Sequence, residues 1–242
     1  MKRRIHPAFS KIRGACYFPD MITRANDLTF DEIKKLIIRP NPVVLEVGAH
    51  DGTDSLNFLN TFPGVRLFCF EPDPRAIAKW ESKVSPHRAT LYKTAVSDHI
   101  GTATFFQSGG PPRPGVNDWD HSSSLCEPTG HLQHSPWCTF EKKIVVETTT
   151  LDEWNKGHAQ FGYIDFIWAD TQGAENKMLL GAKDVIPKTR YIKLECHRSE
   201  FYAGQWKESQ FCEHLKGWTL MGRFGDDLLF RNEALPYVDA GL

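Results

Sequence analysis

Apolar positions in this chain gather in short runs, each ending in an acid or a glycine. Val43-Val44-Leu45-Glu46-Val47 leads into Gly48-Ala49-His50-Asp51-Gly52, and Val65–Phe70 leads into Glu71-Pro72. Tyr163–Ala169 ends at Asp170, and Tyr191–Leu194 ends at Glu195-Cys196-His197. Runs this short and this continuous predict strands covered on both faces. Helical spacing falls between them. Thr29 precedes Phe30, Ile33, Leu36 and Ile37 on one face; Thr53 or Asp54 can cap a helix through Leu59; Pro74 can open another. Further helices are expected over Leu151–Lys156, over Gly173–Ala182 and over Gln205–Lys216. Additional strands are expected near Thr90–Ala95, Ala103–Phe106 and Ile144–Thr150, with a closing pair at Trp218–Met221 and Leu228–Phe230. Strands alternating with helices predict an α/β fold with a mainly parallel sheet and helices on both faces.

Length and composition add boundaries. The chain has 242 residues, enough for one α/β domain with a full core. Residues 1–40 read as an N-terminal helical extension and 41–242 as the main domain. Within it, residues 107–139 are rich in Gly, Pro, Ser and His and too long for an ordinary connection, which predicts a lid or acceptor-binding segment. Formal net charge is −1 with no basic stripe, and Lys2-Arg3-Arg4 reads as a solvated end, so strong nucleic-acid binding is not expected. No run approaches the ~20 apolar residues of a membrane span. Residues 5–25 lack the apolar core of a secretory signal, and the six scattered cysteines predict reduced thiols and a cytoplasmic setting.

Strand, glycine turn, helix, strand and terminal carboxylate is how an open α/β sheet holds an adenosine cofactor. The dinucleotide turn needs its middle glycine so that backbone can approach a pyrophosphate. His50 stands there instead, followed by Asp51, whose charge would repel that group. S-adenosylmethionine has no phosphate and carries a sulfonium and an α-ammonium, so acidic residues in the turn suit it. Cofactor contacts are therefore expected from Glu46, Gly48, His50, Asp51, Glu71, Pro72, Val96, Ser97, Asp98 and Asp170. Glu71 would hold the ribose, Asp51 the ammonium, and Val96-Ser97-Asp98 the adenine.

Ligands of such sheets lie outside the carboxyl ends of the strands. Several separate strands here deliver an acid or histidine to that rim, which is a candidate site. If the acceptor is a hydroxyl, a base must take its proton. Asp170 and His197 are the candidates, followed by His50; Asp170 can equally be a helix N-cap. Trp119, Trp137, His121, His131 and His134 can form an aromatic platform for a sugar ring or simply anchor the long segment. Cys126, His131, His134 and Cys138 invite a zinc reading, but their spacing matches no finger, and no metal is expected.

The ordered set Val-Gly-Ala-x-Asp-Gly, Phe-Glu-Pro-Asp-Pro, Ala-Val-Ser-Asp-x-x-Gly, Ser-Ser-Ser-Leu, Thr-Thr-Leu-Asp-Glu and Ile-Asp-Phe-Ile-x-x-Asp-x-x-Gly-Ala-Glu resembles FkbM-type S-adenosylmethionine-dependent methyltransferases across residues 43–232. The resemblance implies a Rossmann-like class I fold with a seven-stranded sheet. It also implies O-methylation of hydroxyls on sugars, glycolipids or natural products, with cofactor contacts at Gly48, Asp51, Glu71, Ser97 and Asp98 and with Asp170 at the active rim. The chain departs from that family after Asp170. An aliphatic residue and Glu are usual there; Thr171 and Gln172 stand in their place. A neutral amide is no base, so a catalytically silent cofactor-binding module remains an alternative. A nucleic-acid methyltransferase is another, disfavoured by charge. A nicotinamide oxidoreductase is disfavoured by His50-Asp51.

Overall fold

The computed structural model describes residues 22–24, 26–112, 118–158 and 161–235. Most of the N-terminal extension, residues 1–21 and 25, lies outside the described residues, as do 113–117 of the long segment.

Eleven strands and seven α-helices follow one another along these residues. The order begins β1 (Ile22–Arg24), α1 (Phe30–Leu36), β2 (Val43–Val47), α2 (Thr53–Thr61), β3 (Arg66–Phe70), α3 (Pro74–Lys83), β4 (Ala89–Tyr92), β5 (Ala95–Val96) and β6 (Gly101–Gly109). It continues with α4 (His131–His134), β7 (Thr139–Thr149), α5 (Leu151–Lys156), β8 (Ile164–Ala169), α6 (Glu175–Leu180), β9 (Thr189–Glu195), α7 (Glu208–His214), β10 (Trp218–Phe224) and β11 (Asp227–Asn232). The main sheet runs β1-β10-β11-β9-β8-β2-β3-β4. Only β11 opposes the rest: it pairs antiparallel with both β9 and β10, while the other neighbours pair parallel. Seven of these strands have the class I methyltransferase arrangement, and the three-residue β1 adds an eighth at the edge.

Strand periodicity builds the three layers. In β2, Val43, Leu45 and Val47 belong to the core that packs against Leu151, Trp154, Met178, Leu179 and Phe211 of α5, α6 and α7. Val44 belongs to the opposite core, with Ile33, Phe58, Leu59 and Trp80 of α1, α2 and α3. Alternate side chains therefore feed opposite faces. Every residue of β2 and β8 is buried, which is why neither strand shows polar alternation in the sequence.

Several local expectations change in the structure. Helix α2 is not capped by Thr53 or Asp54. It follows Gly52, which is left-handed at φ 81°, and Asp51 Oδ1 accepts the Thr53 amide. Asp170 is not the N-cap of α6; Ala174 stands there, and Glu175 accepts the Thr171 amide and hydroxyl instead. That leaves the Asp170 carboxylate to the rim. The strand expected to reach Ala95 splits into β4 and β5, and β5 joins a separate sheet of order β5-β7-β6. Strand β6 continues to Gly109 and β7 starts at Thr139, so the irregular segment is shorter than 107–139. Pairing with β7 across a long sequence separation keeps Gln107 and Ser108 extended despite the Gly/Pro cluster that follows.

Candidate active site

The carboxyl ends of β2, β3, β8 and β9 open into one cavity of about 600 Å³, roofed by Trp119–Ser123 and by His131, Ser135, Trp137 and Phe201. Its wall contains Asp51, Asp54, Glu71, Asp73, Asp120, Asp170 and Glu195, and neither lysine nor arginine borders it among the described residues.

The turn after β2 is built by three left-handed residues, Gly48 at φ 89°, His50 at φ 44° and Gly52 at φ 81°. A Cβ on Gly48 would lie 1.8 Å from the Asp170 carbonyl oxygen, so only glycine lets the turn pass the end of β8. The amides of Gly48 and Ala49 both donate to the Phe70 carbonyl oxygen at 3.0 Å, coupling the turn to β3. Glu71, at the end of β3, is held from two sides. The His50 amide donates to Oε2 at 2.9 Å and the Asp73 amide to Oε1 at 2.8 Å. Burial outweighs these bonds and pushes the carboxyl up to about 7.

Other expected contacts divide. Gly48, His50, Asp51, Glu71, Pro72, Val96, Asp170 and His197 border the cavity; Glu46, Ser97 and Asp98 do not. Glu46 is buried, accepts from the Ser55 hydroxyl and the Cys69 thiol, and burial lifts it to about 8. Its neighbour Ser55 also accepts from Trp80 Nε1, so this carboxyl belongs to the packing of α2 and α3. Asp98 is exposed and bonds Ser97 and His99. Asp51 borders the cavity, but its charge is met by the Lys83 ammonium. Against the opposing effect of burial, Lys83 and the Thr53 hydroxyl and amide hold it at about 2.

His197 is likewise committed. Nε2 lies 3.4 Å from Glu195 and Nδ1 lies 3.2 Å from Asp226, so each ring nitrogen faces a carboxylate. Burial opposes the charged ring, yet these partners raise it to about 9. At neutral pH His197 is an imidazolium and offers no lone pair. Asp170 is more available. Its Oδ1 accepts from Gln172 Nε2 at 2.9 Å, Oδ2 lies 3.8 Å from Lys193 Nζ, and the side chain keeps 38% exposure.

Lys193 was missed by the sequence reading, and so were the contacts that fasten the segment over the cavity. Lys193 interrupts the apolar run of β9, is 2% exposed, pairs with Asp227 at 2.8 Å and lies over the Trp168 ring. A lone lysine in a covered strand demands such a partner, and that was the available signal. The strap is fastened by Asp120, which meets His50 Nε2 at 3.0 Å and Lys79 Nζ at 2.5 Å. Arg75 of α3 adds bonds to the Ser108 carbonyl and the Ser123 hydroxyl. Donor atoms of His50, Asp120 and His121 lie within 4.8 Å of one another, a metal-compatible cluster, but Lys79 already supplies the countercharge to Asp120. Cys126, His131, His134 and Cys138 form no such cluster; the Cys126 thiol donates to the Gly173 carbonyl.

Asp120→Asn should therefore loosen the strap. Replacing the buried carboxylate by a neutral amide weakens its charge-assisted bonds to Lys79 and His50 and costs about 1–2 kcal/mol, given that Lys79 is half exposed. The melting temperature is expected to fall by roughly 2–8 °C. An unchanged melting temperature would mean that Asp120 does not fasten this segment.

Strand order, a glycine turn under the rim and a buried carboxylate beside it define a class I methyltransferase. Its cofactor is S-adenosylmethionine, and the site suits that group. The acidic wall without lysine or arginine accommodates a cation and would repel a pyrophosphate, and the glycine turn leaves room where a side chain would collide. The chain belongs to the FkbM methyltransferase family, whose methyltransferase FkbM domain matches residues 46–227. It is 38% identical over 209 residues to the 2-O-methyltransferase NoeI of Sinorhizobium fredii (strain NBRC 101917 / NGR234), covering 84% of this chain and 85% of that one. Solved structures of similar shape are more distant. An rRNA methylase from Streptococcus thermophilus has 9% identity and a TM-score of 0.43, covering 84% of this chain and 93% of that one. Fibrillarin from Aeropyrum pernix with natively bound S-adenosyl-L-methionine has 11% identity and a TM-score of 0.39, covering 84% and 71%. No helix among the described residues is long and apolar enough to cross a membrane.

Proposed function

We propose that this O-methyltransferase acts on a hydroxyl of a sugar, glycolipid or similar polyol. The observation that carries the reading is the wall of the cavity: carboxylates able to accept hydroxyl protons, Trp119, Trp137 and Phe201 as aromatic faces, and neither lysine nor arginine among the described residues. A nucleic-acid acceptor would bring phosphates to a wall dominated by carboxylates, with neither lysine nor arginine bordering it among the described residues. A relative named a 2-O-methyltransferase, matched over most of its length, supports the same chemistry. Buried unpaired thiols at Cys69, Cys126, Cys138 and Cys196 support a reducing, cytoplasmic setting.

When bound, the cofactor supplies a methyl group on a positively charged sulfur, an already activated leaving group. The chain's part is then to position the acceptor and remove its proton, and positioning alone can supply roughly 7–11 kcal/mol. Glu71 would accept the ribose hydroxyls, the turn from Gly48 to His50 would pass beneath the adenosine, and Thr94, Ala95 and Val96 would border the adenine. Asp170 and Glu195 would receive the acceptor hydroxyl. Residues 118–138 would cover both ligands as a lid.

Glu71 makes binding pH-dependent. Only its ionised form accepts from both hydroxyls, and its carboxyl sits near 7. Affinity for S-adenosylmethionine should rise between pH 6 and 8; a flat calorimetric profile would reject the ribose role. Free-chain stability should move the opposite way. A carboxyl raised in the folded state contributes stability below its unfolded value, and that contribution is lost as pH rises through about 7.

Labelled methyl transfer into oligosaccharides, glycolipids and RNA tests the function. Label in the glycan pools is the expected result. Label in RNA alone would overturn the acceptor class, and cofactor binding without transfer to any pool would favour the silent module.

A further inference from the structure

Gln172 occupies an unusual position. Its backbone is left-handed at φ 55°, one of two such non-glycine residues among those described, and the other is His50. Conformations of this kind cost energy and persist where the surroundings over-determine them. The surroundings here are its own side chain's partners. Nε2 lies 2.9 Å from Asp170 Oδ1 and 2.8 Å from Glu195 Oε2. On the other side, Oε1 lies 2.9 Å from the Tyr202 hydroxyl, which is also 2.8 Å from the Ser122 carbonyl oxygen.

Chemistry fixes which way this amide points. Turned over, its oxygen would face two carboxylate oxygens, and three acceptors would meet without a proton between them. With nitrogen there, its two hydrogens meet one carboxylate each and the oxygen receives the tyrosine hydroxyl. One amide thus bridges two acids that would otherwise repel. A glutamate could make the same span only by carrying a proton, whereas the amide makes it at any pH.

We propose that Gln172 is a positioning residue that ties Asp170 and Glu195 into a side-by-side carboxylate pair, and that this pair receives the acceptor hydroxyl at the point of transfer. The role rests on the O-methyltransferase reading; the bridge itself does not. Both acids border the cavity, and the neighbouring charges suit the pair. Lys193 lies beside Asp170 and is shared with Asp227, and Asp54 of α2 lies in the same field. The His197 imidazolium lies beside Glu195 and is shared with Asp226. Glu175 beneath them is raised by burial and then by the charge of Glu195, so its own ionisation beside the pair is disfavoured. The hydroxyl proton would pass to a carboxylate oxygen of the pair, while both amide protons of Gln172 stay in place. A neutral residue at this position is then no sign of lost activity, because the acids it holds do the proton chemistry.

The bridge and its role are separable by experiment. Gln172→Glu preserves shape and replaces the amide donor with a third acid. Its melting temperature should fall increasingly behind wild type as pH rises from 5 to 8, because a shared proton must be lost. Curves that stay parallel would overturn the bridge. The role is read without an acceptor, using S-adenosylhomocysteine, neutral at sulfur, and sinefungin, which carries an ammonium at the transfer position. Wild type should bind sinefungin about tenfold more tightly, the worth of a charge-assisted hydrogen bond in a buried site. Gln172→Asn keeps an amide and tolerates the left-handed backbone but is too short to span both acids. It should lose most of that preference with little change toward S-adenosylhomocysteine. A preference retained in full by Gln172→Asn, or absent from wild type, would overturn the positioning role. Failure of wild type to bind either compound would instead bring down the cofactor reading, while the melting curves would still judge the bridge.

Discussion

Replacing Glu71 with glutamine is expected to weaken S-adenosylmethionine binding by about a hundredfold. Both carboxylate oxygens of Glu71 already accept backbone amides, from His50 and from Asp73. Each oxygen keeps further lone pairs, so the same group can also accept ribose hydroxyls. Glutamine retains one acceptor and turns an NH₂ group toward a backbone N–H. One of the two loops that frame the pocket must then move, and a bond to the ribose is lost. A hydrogen bond to a charged group is worth about 1.5–3 kcal/mol, and about 2.7 kcal/mol corresponds to a hundredfold change. Calorimetry with S-adenosylmethionine reads the result directly. Affinity within threefold of wild type would show that Glu71 is a loop-bracing acid and not the ribose contact.

Gly48→Ala should have the largest effect on folding. Two independent costs coincide there. A φ of 89° is strained for any residue with a Cβ, and the added methyl would sit 1.8 Å from the Asp170 carbonyl oxygen. That oxygen cannot swing aside, because β8 is fixed on β2 along its length and the Asp170 amide donates to the Val47 carbonyl at 2.9 Å. Separating the two central strands would open the sheet at its most buried point. A loss of roughly 3–5 kcal/mol is expected, seen as a fall in melting temperature on the order of 10 °C. Thermal unfolding of the purified variant checks it. A shift of less than about 3 °C would mean that the turn accommodates a side chain and that Gly48 is not needed for close approach.

These two positions were readable before any coordinates because they depend on local order. A glycine directly after an apolar run, and an acid at the end of the next, mark a strand end and its neighbour whatever else the chain does. The closing strands around Gly225-Asp226-Asp227 were equally readable from a turn between apolar runs. The course of the chain through Val96-Ser97-Asp98 was less so. Val96 borders the cavity while Ser97 and Asp98 turn away, because the chain at Val96 has left β4 and entered the second sheet. A pairing partner some fifty residues distant decides that turn, and nothing in the local pattern reports it.

The rim at the ends of β8 and β9 shows the same division. His197 was placed correctly at a strand end, but its availability as a base depends on Glu195 and Asp226, and the second arrives from the β10–β11 turn. Gln172 looked like a departure until its amide was seen between two acids from different strands. Asp120 and Lys79 meet only because the strap folds back over α3.

By itself the sequence determined the layered α/β architecture, the strand ends that carry acids, and a turn suited to a cationic adenosine cofactor. Those follow from side-chain period, backbone sterics and the sign of charge, all of which act within a few residues. Tertiary structure alone decided which acids remain free, which are neutralised by Lys83, Lys193 or the His197 ring, and how the 118–138 strap closes the cavity. Ionisation and hydrogen bonding depend on what lies within a few ångströms in space, and in a parallel sheet those neighbours come from strands far apart in the chain.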